Sequence, residues 1–176
     1  MEKPEHEVLL KMPFADVTVV FREDGRLERL RLQPPGSAEK PEGSGRLCGR
    51  AQEAAAAIRA YAEFPGGLDS RAWLAEHCVR RETPFEQRVW RALCDIPCGE
   101  TETYGALARR IGVPGGARAV ARAASLNPLP VLIPCHRLVG AGGRLTGFAQ
   151  SSEPEFLEIK RRLIEREQEK LVRWWF

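Results

Sequence analysis

Residues 129–138 have the sequence Leu-Pro-Val-Leu-Ile-Pro-Cys-His-Arg-Leu, which places a thiol beside an imidazole directly after an apolar run. A thiol next to a proton acceptor in a dry pocket is a candidate nucleophile. The thiolate is the reactive form, and an ordinary cysteine, with a pKa of about 8.5, is mostly protonated at neutral pH. Pro134 suits the first turn of a short helix, whose N-terminus would favour the Cys135 thiolate. The same residues also fit an inert buried Cys135 with His136 turned outward.

Two helical patterns precede this run. Residues 103–111 and 117–126 have helical spacing and are separated by the Pro/Gly turn 112–116, so they predict a helix-turn-helix. The second helix is mostly alanine, with Arg118 and Arg122 four residues apart on one face. Small side chains let a helix approach a surface closely, and the arginines can contact phosphates or bases. An alanine-rich helix packed in a core has the same pattern.

The centre of the chain is strongly basic. No Asp or Glu occurs between Glu102 and Glu153. Six arginines fall in this interval: Arg109, Arg110, Arg118, Arg122, Arg137 and Arg144. The net charge of +3 for the whole chain therefore conceals a cationic middle. Such a zone attracts phosphate and steers nucleic acid, with an affinity that falls as salt rises.

The N-terminal third has the pattern of a small sheet. Residues 17–21 and 27–32 alternate as strands do, and Asp24-Gly25 is a turn signal between them. A Pro/Gly/Ser-rich stretch, 34–45, predicts a mobile loop, and an alanine-rich helical stretch follows at 46–64.

The second half predicts helices. We interpret residues 68–81 as a linker, after which Thr83-Pro84-Phe85-Glu86 has the pattern of a capping box. This box opens a helix that would bury Phe85, Val89, Trp90 and Leu93. A sheet followed by helices is an α+β order. At 176 residues the chain can form two small domains, and we predict them at 1–80 and 81–176.

One acidic residue lies on an apolar stripe of the C-terminal helix. The stripe contains Phe156, Leu163, Glu167 and Leu171. A buried carboxylate needs a partner, and His136 is the candidate.

The cysteine pattern argues against a secreted disulfide framework. Five cysteines, an odd number, occur at irregular spacing: Cys48, Cys78, Cys94, Cys98 and Cys135. Four-ligand zinc spacing is absent, so we expect no metal and no cofactor. The sequence has no signal-peptide pattern and no apolar segment long enough to span a membrane, so we expect a cytoplasmic protein without a membrane partner.

Four segments together resemble the O6-alkylguanine-DNA alkyltransferases. They are residues 84–90, Tyr104, residues 117–120, and residues 127–139 with their Pro-Cys-His-Arg signature. The resemblance implies a ribonuclease-H-like N-terminal domain and a DNA-binding alkyltransferase domain. It also implies a monomer that acts on O6-alkylguanine in double-stranded DNA, with O4-alkylthymine as a second candidate lesion. The nucleotide would be rotated out of the duplex, and its alkyl group would pass irreversibly and stoichiometrically to the protein.

The resemblance implies a role in the reaction for five residues. Cys135 is similar to the acceptor thiolate that attacks the alkyl carbon on guanine O6. His136 is similar to the histidine that takes the thiol proton through a water, and Glu167 to the carboxylate that orients it. Tyr104 is similar to the hydroxyl that donates to guanine N3 while the base leaves. Asn127 resembles the hinge between the recognition helix and the active-site loop.

The resemblance also implies contacts with DNA and with the flipped base. Arg118 is similar to the finger that fills the space left by the rotated nucleotide, on a helix that enters the minor groove. The other expected DNA contacts are Ala117, Ala119, Ala121, Arg122 and Arg137. The expected base pocket is lined by Ala124, Leu138, Phe148 and Ala149.

Several positions depart from the family pattern. Phe148 stands where tyrosine is common, residues 149–151 replace a glycine-containing turn, and Arg122 is bulkier than the usual small residue. Arg162 stands where tryptophan is expected, and residues 150–155 form a longer segment. These departures affect the predicted size of the base pocket and the alignment that assigns Glu167 to the family carboxylate.

Three other functions fit part of the pattern. A helix-turn-helix transcription regulator would explain the basic centre but not the Cys135-His136 pair. A cysteine hydrolase would explain the pair, although no oxyanion-hole glycine motif accompanies it. A sensor that binds alkylated guanine without repairing it would carry another residue in place of Cys135.

Overall fold

The computed structural model describes residues 5–39, 47–77 and 83–172. Three strands come first, β1 (Glu5–Lys11), β2 (Asp16–Arg22) and β3 (Leu27–Gln33). The helices are α1 (Gly49–Glu63), α2 (Ser70–His77), α3 (Pro84–Cys94), α4 (Tyr104–Arg110), α5 (Ala117–Ser125) and α6 (Pro154–Val172). The predicted α+β order is confirmed, and the ribonuclease-H-like comparison stays a prediction.

The three strands form one antiparallel sheet in chain order, with β2 in the middle. Nearly all of β2 is buried, as expected for a central strand covered on both faces. In β3 the leucines at 27, 30 and 32 are buried. Leu27 and Leu30 are three residues apart and still share a face, because an irregularity in the pairing opposite Val20 and Phe21 shifts the register by one residue.

The turn between β2 and β3 seats the first helix. Gly25 has a φ of +78°, and a Cβ there would lie 2.8 Å from the carbonyl oxygen of Cys48. The Ala51 amide donates to the Gly25 carbonyl at 3.1 Å. Glycine is therefore required both by the left-handed turn and by the close approach of α1. Buried side chains of α1 recur at helical spacing: Ala51, Ala54, Ala55, Ile58, Tyr61 and Ala62.

The interpretation of residues 68–81 as a linker is wrong for 70–77, which form α2. The Asp69 carboxylate accepts from the amides of Arg71 and Ala72, so an Asx cap starts this helix. Leu74 is buried in the core. The predicted domain boundary at 80/81 and residues 40–45 of the predicted mobile loop lie outside the described residues. The part of that loop at 34–39 is held by Asp16, whose carboxylate accepts from the amides of Gly36 and Ala38.

The predicted capping box at the start of α3 is confirmed. Thr83 and Glu86 exchange side-chain-to-backbone hydrogen bonds at 3.2 Å and 2.8 Å. Val89, Trp90 and Leu93 are buried, whereas Phe85 is half-buried under the Arg88 guanidinium. The Trp90 indole donates to the Ala123 carbonyl at 2.8 Å and so joins α3 to α5.

Two short strands, β4 (Glu102–Thr103) and β5 (Leu138–Val139), form a parallel pair. This pair sets the start of α4 beside the end of the 129–138 run. The sheet reaches the same region, since the Leu30 amide donates to the Pro128 carbonyl at 2.8 Å. No helix within the described residues is both long and apolar enough to cross a membrane.

Candidate active site

The 129–133 run is fully buried, as predicted, and is bent into a tight turn. The Ile133 amide donates to the Leu129 carbonyl at 2.8 Å. Val131 has a φ of +77°, an unfavourable conformation for a β-branched residue. Such local strain is characteristic of functional loops. The turn delivers Cys135 to the start of a single 3-10 turn, Cys135–Arg137, with 7% of its surface exposed. Pro134 precedes this turn rather than forming its first residue.

Asn127 holds the turn in place. Its Nδ2 donates to the Ile133 carbonyl at 2.9 Å, and its Oδ1 accepts from the Leu129 amide at 3.0 Å. Both atoms are therefore used to connect the end of α5 to the loop that carries Cys135. This position fits the expected hinge, whose role stays a prediction.

Opposing effects act on the Cys135 thiol. Burial raises its pKa, and a hydrogen bond from the Asn127 side chain, the positive charge of Lys160 and the backbone amide of Cys135 lower it. Burial is the largest of these, so the pKa remains above its ordinary value. The thiol therefore needs a proton acceptor in order to react.

The structure brings His136 and Glu167 together, as the buried stripe on α6 predicts. The His136 Nε2 lies 2.8 Å from the Glu167 Oε1, and both side chains are fully buried. Phe156 and Leu163 lie half-buried and buried on the same stripe, and the Leu171 side chain lies outside the described residues. Burial alone would raise the pKa of Glu167, but His136 and Arg137 hold it far below its ordinary value. Glu167 is therefore a carboxylate.

The ionised Glu167 decides which imidazole nitrogen carries the proton. Since a carboxylate only accepts, the network assigns the proton to the His136 Nε2. Burial lowers the pKa of His136, and Glu167 opposes this effect. The neutral imidazole then has a lone pair on Nδ1, a buried atom without a hydrogen-bond partner within the described residues. Nδ1 is the atom available to accept a proton.

Arg137 corrects one sequence prediction. It was expected to contact DNA, but it is only 6% exposed. Its Nε and Nη2 donate to the two oxygens of Glu167 at 2.9 Å, and its Nη1 donates to the Ile96 carbonyl at 2.6 Å. A buried carboxylate recruits this guanidinium, because an unpaired charge would be costly in the interior. Arg137 holds Glu167 and does not face solvent.

Two polar groups near the site were missed by the sequence analysis. The Tyr61 hydroxyl donates to the Glu167 Oε1 at 2.9 Å, and the Gly99 amide donates to Oε2 at 2.9 Å. Tyr61 lies on the buried face of α1, where a hydroxyl at an otherwise apolar position could have been noticed. Its partner could not, because it lies 106 positions away.

Lys160 is a third missed residue. It lies on the same stripe of α6 as Glu167 and is fully buried. Its Nζ lies 3.3 Å from the Tyr104 hydroxyl, and it donates to the carbonyls of Thr146 and Gly147 at 3.2 Å and 3.4 Å. Burial lowers the pKa of Lys160 to about 8, with the nearby Cys135 opposing this shift. A lysine four positions after Phe156 and three before Leu163 was the available sequence signal.

A small crevice, partly open to solvent, reaches the thiol. Its walls come from α4, from α5 and from the segment before α6: Tyr104, Ala121, Ala124, Ser125, Cys135, Gly147, Phe148 and Ala149. Three of the four predicted pocket residues are among them. Leu138 is the exception, because it is fully buried in β5, where it pairs with Glu102. The prediction that Leu138 lines the pocket is therefore corrected.

The exposed side of α5 lies next to this crevice. Arg118, Ala119 and Arg122 are exposed, and Ala117 and Ala121 are half-buried. The opposite side, with Val120, Ala123 and Ala124, is packed in the core. The alanine-rich helix is therefore packed on one face and presents two arginines on the other.

The described residues contain no cluster of three or more His, Cys, Asp or Glu side chains arranged to hold a metal ion. Cys48, Cys94, Cys98 and Cys135 are free thiols. Burial raises the pKa of Cys94 to about 12 and that of Cys98 to about 11. Neither of these two thiols lines the crevice, as Cys135 does.

The sequence and the fold match known proteins. Residues 84–169 match the family model described as 6-O-methylguanine DNA methyltransferase, DNA binding domain. A methylated-DNA--protein-cysteine methyltransferase from Methanosarcina mazei is 48% identical over 89 residues, 51% of this chain and 53% of that protein. The chain thus spans about half the length of this relative. The corresponding protein from Methanosarcina barkeri is 42% identical over 120 residues, 68% of this chain and 70% of that protein.

Solved structures extend the likeness over nearly the whole chain. The O6-methylguanine methyltransferase from Mycobacterium tuberculosis superposes with a TM-score of 0.69 at 31% identity, covering 97% of this chain and 99% of that one. The OGT of the same organism in complex with DNA gives a TM-score of 0.68 at 32% identity, covering 94% of each chain. The chain therefore belongs to the methylated-DNA--protein-cysteine methyltransferase family.

Proposed function

We propose that this protein repairs DNA by moving the alkyl group of O6-alkylguanine onto its own Cys135. The observation that carries this proposal is the position of Cys135 in the wall of the crevice, next in sequence to a buried histidine paired with an ionised glutamate. A regulator would have no use for that arrangement, and a lesion sensor would have no use for the thiol.

The first step is activation of the thiol. The Cys135 proton passes to Nδ1 of His136 through one water, while Nε2 donates to Glu167. The Glu167 carboxylate stabilises the imidazolium that forms, and Arg137 keeps this carboxylate ionised. The Asn127 amide and the Lys160 charge favour the thiolate.

The second step is an in-line displacement. The Cys135 sulfur forms a bond to the alkyl carbon, the bond from that carbon to guanine O6 breaks, and the electron pair stays with the base. Charge on the leaving guanine must be neutralised as it develops. Burial raises the pKa of Tyr104, so its hydroxyl keeps a proton to give to N3, and Lys160 can return a proton to it at 3.3 Å.

The product explains why each molecule would react once. A thioether has no proton for His136 to remove, and its carbon has lost the good leaving group that the base provided. None of the groups described around Cys135 is a nucleophile placed to displace the sulfur. The transfer is therefore stoichiometric, with one alkyl group for each protein molecule.

DNA would reach the crevice through α4 and α5. We infer that these helices act as a helix-turn-helix whose second helix lies in the minor groove, with its small residues against the sugar edges and Arg118 inserted into the stack. The guanine must leave the duplex before O6 can meet the thiol, at a cost of a few kcal/mol. The exposed arginines would offset part of this cost through phosphate and base contacts.

Intact-protein mass spectrometry tests the proposal. After mixing with a duplex that contains O6-methylguanine, we expect the protein to gain one methylene, mapped to the peptide that holds Cys135, at one equivalent or less. The Cys135→Ser variant should bind the duplex without gaining mass. Binding of the lesion with no mass change in the unaltered chain would instead indicate a sensor, and binding without preference for the lesion would indicate a regulator.

A further inference from the structure

Tyr61 connects the N-terminal part of the chain to the proposed reaction. It lies in α1, outside the matched segment 84–169, and is 1% exposed. Its hydroxyl donates to the Glu167 Oε1 at 2.9 Å and lies 3.3 Å from the His136 Nε2. We propose that Tyr61 is a positioning residue for alkyl transfer, which fixes the Glu167 carboxylate and limits its pull on the His136 proton.

Three donors converge on one oxygen. The Glu167 Oε1 accepts from the His136 Nε2, the Tyr61 hydroxyl and the Arg137 Nη2, while Oε2 accepts from Arg137 and the Gly99 amide. Five donors exceed the roughly four lone-pair directions of a carboxylate, so the negative charge is shared among them. Each neutral or cationic donor that shares Oε1 weakens the hydrogen bond available to His136.

The Tyr61 hydroxyl is a permanent donor. Burial and the neighbouring Glu167 raise its pKa well above the ordinary value, so it stays protonated. Its ring is fixed by edge-to-face contacts with Phe14 and with His136, at centroid distances of 5.9 Å and 6.2 Å. The hydroxyl therefore has one orientation, which a surface tyrosine would not have.

Other charged and titratable groups also face the His136–Glu167 pair. Arg137 comes from the 3-10 turn, Lys160 from α6 and Cys98 from the segment before β4. Arg137 is the strongest of these, since it makes two hydrogen bonds to Glu167. Among these described residues, Tyr61 comes from before α3, so it makes the proposed proton transfer depend on the docking of α1.

Removal of the Tyr61 hydroxyl should change the pKa of His136 in a definite direction. With one donor fewer, the carboxylate attracts the imidazole proton more strongly and is less firmly held. The pKa of His136 should therefore rise, and Nδ1 should be protonated, and so unable to act as a base, over a wider range of acidic pH. A packing defect without loss of a hydrogen bond would not produce this change.

The test uses the unaltered chain and two variants. Tyr61→Phe keeps the ring and removes the hydroxyl, whereas Phe14→Leu disturbs the packing of the same ring and leaves the hydroxyl in place. For each protein, the transfer rate from O6-methylguanine in a duplex is measured against pH, together with the thermal unfolding temperature. Tyr61→Phe should slow transfer about tenfold at neutral pH, and the acid limb of its profile should move to higher pH. The acid limb of Phe14→Leu should stay in place even where its unfolding temperature falls.

The role inferred for Tyr61 rests on the proposed function, so a second measurement is chosen that does not depend on alkyl transfer. In the Cys135→Ser background, the His136 imidazole is titrated by nitrogen NMR with and without Tyr61→Phe. A higher imidazole pKa in the phenylalanine variant supports the inference. If the imidazole pKa and the acid limb are unchanged while the unaltered chain still transfers the alkyl group, the role of Tyr61 is refuted and the proposed function is not. Absence of transfer in the unaltered chain would refute the proposed function separately.

Discussion

The Nζ of Lys160 lies 3.3 Å from the hydroxyl of Tyr104 and 5.5 Å from the centre of its ring, in a position where the lysine is completely buried. Within the described part of the chain, Lys160 contacts the Tyr104 hydroxyl and two carbonyls and no carboxylate. A buried cation without a counter-charge is destabilising. Burial accordingly lowers the pKa of Lys160 to about 8. We infer that the protein tolerates the unfavourable burial of Lys160 because this residue supplies protons to Tyr104.

Replacement of Lys160 by Met should therefore separate stability from activity. Between about pH 8 and the ordinary lysine value of 10.5, the unfolded chain binds a proton that the folded chain has released, so the stability of the unaltered protein should rise with pH across this window. Lys160→Met should lack this rise and be at least as stable at pH 7, while transferring alkyl groups at least tenfold more slowly. Urea unfolding at several pH values and single-turnover kinetics check both. The matched control is Arg161→Met, on the exposed face of the same helix, which should keep both the pH-dependent rise and the rate.

Glu167 should make stability depend on pH in the acidic range instead, again with stability rising as the pH rises. Its pKa in the folded protein lies far below the ordinary 4.5, so its contribution is fully present above that value and is lost as the pH falls below it. Glu167→Gln leaves Arg137 buried without a counter-charge and should cost about 3 kcal/mol at pH 7. It should also raise the pKa of Cys135 and slow the transfer, because the imidazolium loses its partner.

Glu165→Gln is the matched control for this prediction. Glu165 lies two residues away on α6 and makes an exposed ion pair with Arg161. Its loss should change the free energy of unfolding by about 0.5 kcal/mol or less and leave the transfer rate unaltered. Denaturant unfolding measures the stability, and the pH profile of transfer measures the activity. Equal losses of stability and of transfer rate in Glu167→Gln and Glu165→Gln would contradict the proposed role of Glu167 in activating the thiol.

Features that depend on local signals could be predicted from the sequence. The box at Thr83 and Glu86, the strands around Gly25 and the carboxylate on the apolar stripe of α6 were predicted, because each depends on residues within one or two turns. The contact of Glu167 with His136 was also predicted, since a buried acid needs a partner and few were available.

The failures involve contacts between distant segments. Arg137 lies in a basic interval and was expected to face DNA. Its side chain points into the core instead, because it forms an ion pair with the buried Glu167. Leu138 was placed in the pocket, and the parallel pairing with Glu102 buries it instead. Residues 70–77 lacked a strong apolar pattern, so the Asx cap at Asp69 was not enough to predict α2. Tertiary packing decides each of these, and local propensity does not.

Arg118 should matter for duplex DNA and not for the chemistry itself. It is exposed on α5, whereas the proposed transfer takes place at Cys135, which lines the crevice. Arg118→Ala should slow repair of a duplex containing O6-methylguanine by roughly 10- to 100-fold, because extrusion of the base costs a few kcal/mol. Reaction with free O6-benzylguanine should be unchanged. The control is Arg59→Ala, which replaces an exposed arginine on α1 and should leave both rates unchanged. If Arg118→Ala slowed the reaction equally on the duplex and on the free base, Arg118 would not act by helping to extrude the base.

The turn at 148–151 beside the crevice should be stabilised by glycine. Phe148 and Ser151 exchange backbone hydrogen bonds at 2.7 Å and 2.9 Å, and the two residues between them, Ala149 and Gln150, have φ values of +47° and +65°. This left-handed pair resembles a type I′ turn, which favours Asn and Gly. A non-glycine residue there costs roughly 1 kcal/mol. Gln150 is exposed and does not line the crevice, so it can be varied without altering the pocket wall.

A series at position 150 tests the conformational cost directly. The free energy of unfolding should fall in the order Gln150→Gly or Gln150→Asn, then the unaltered chain, then Gln150→Val, because a β-branched side chain is the least tolerant of positive φ. Glycine also gains freedom in the unfolded chain, so its net benefit should be less than about 1 kcal/mol. Urea midpoints at a constant m-value provide the measurement. If Gln150→Val were as stable as Gln150→Gly, the turn would not be held in the left-handed region in solution.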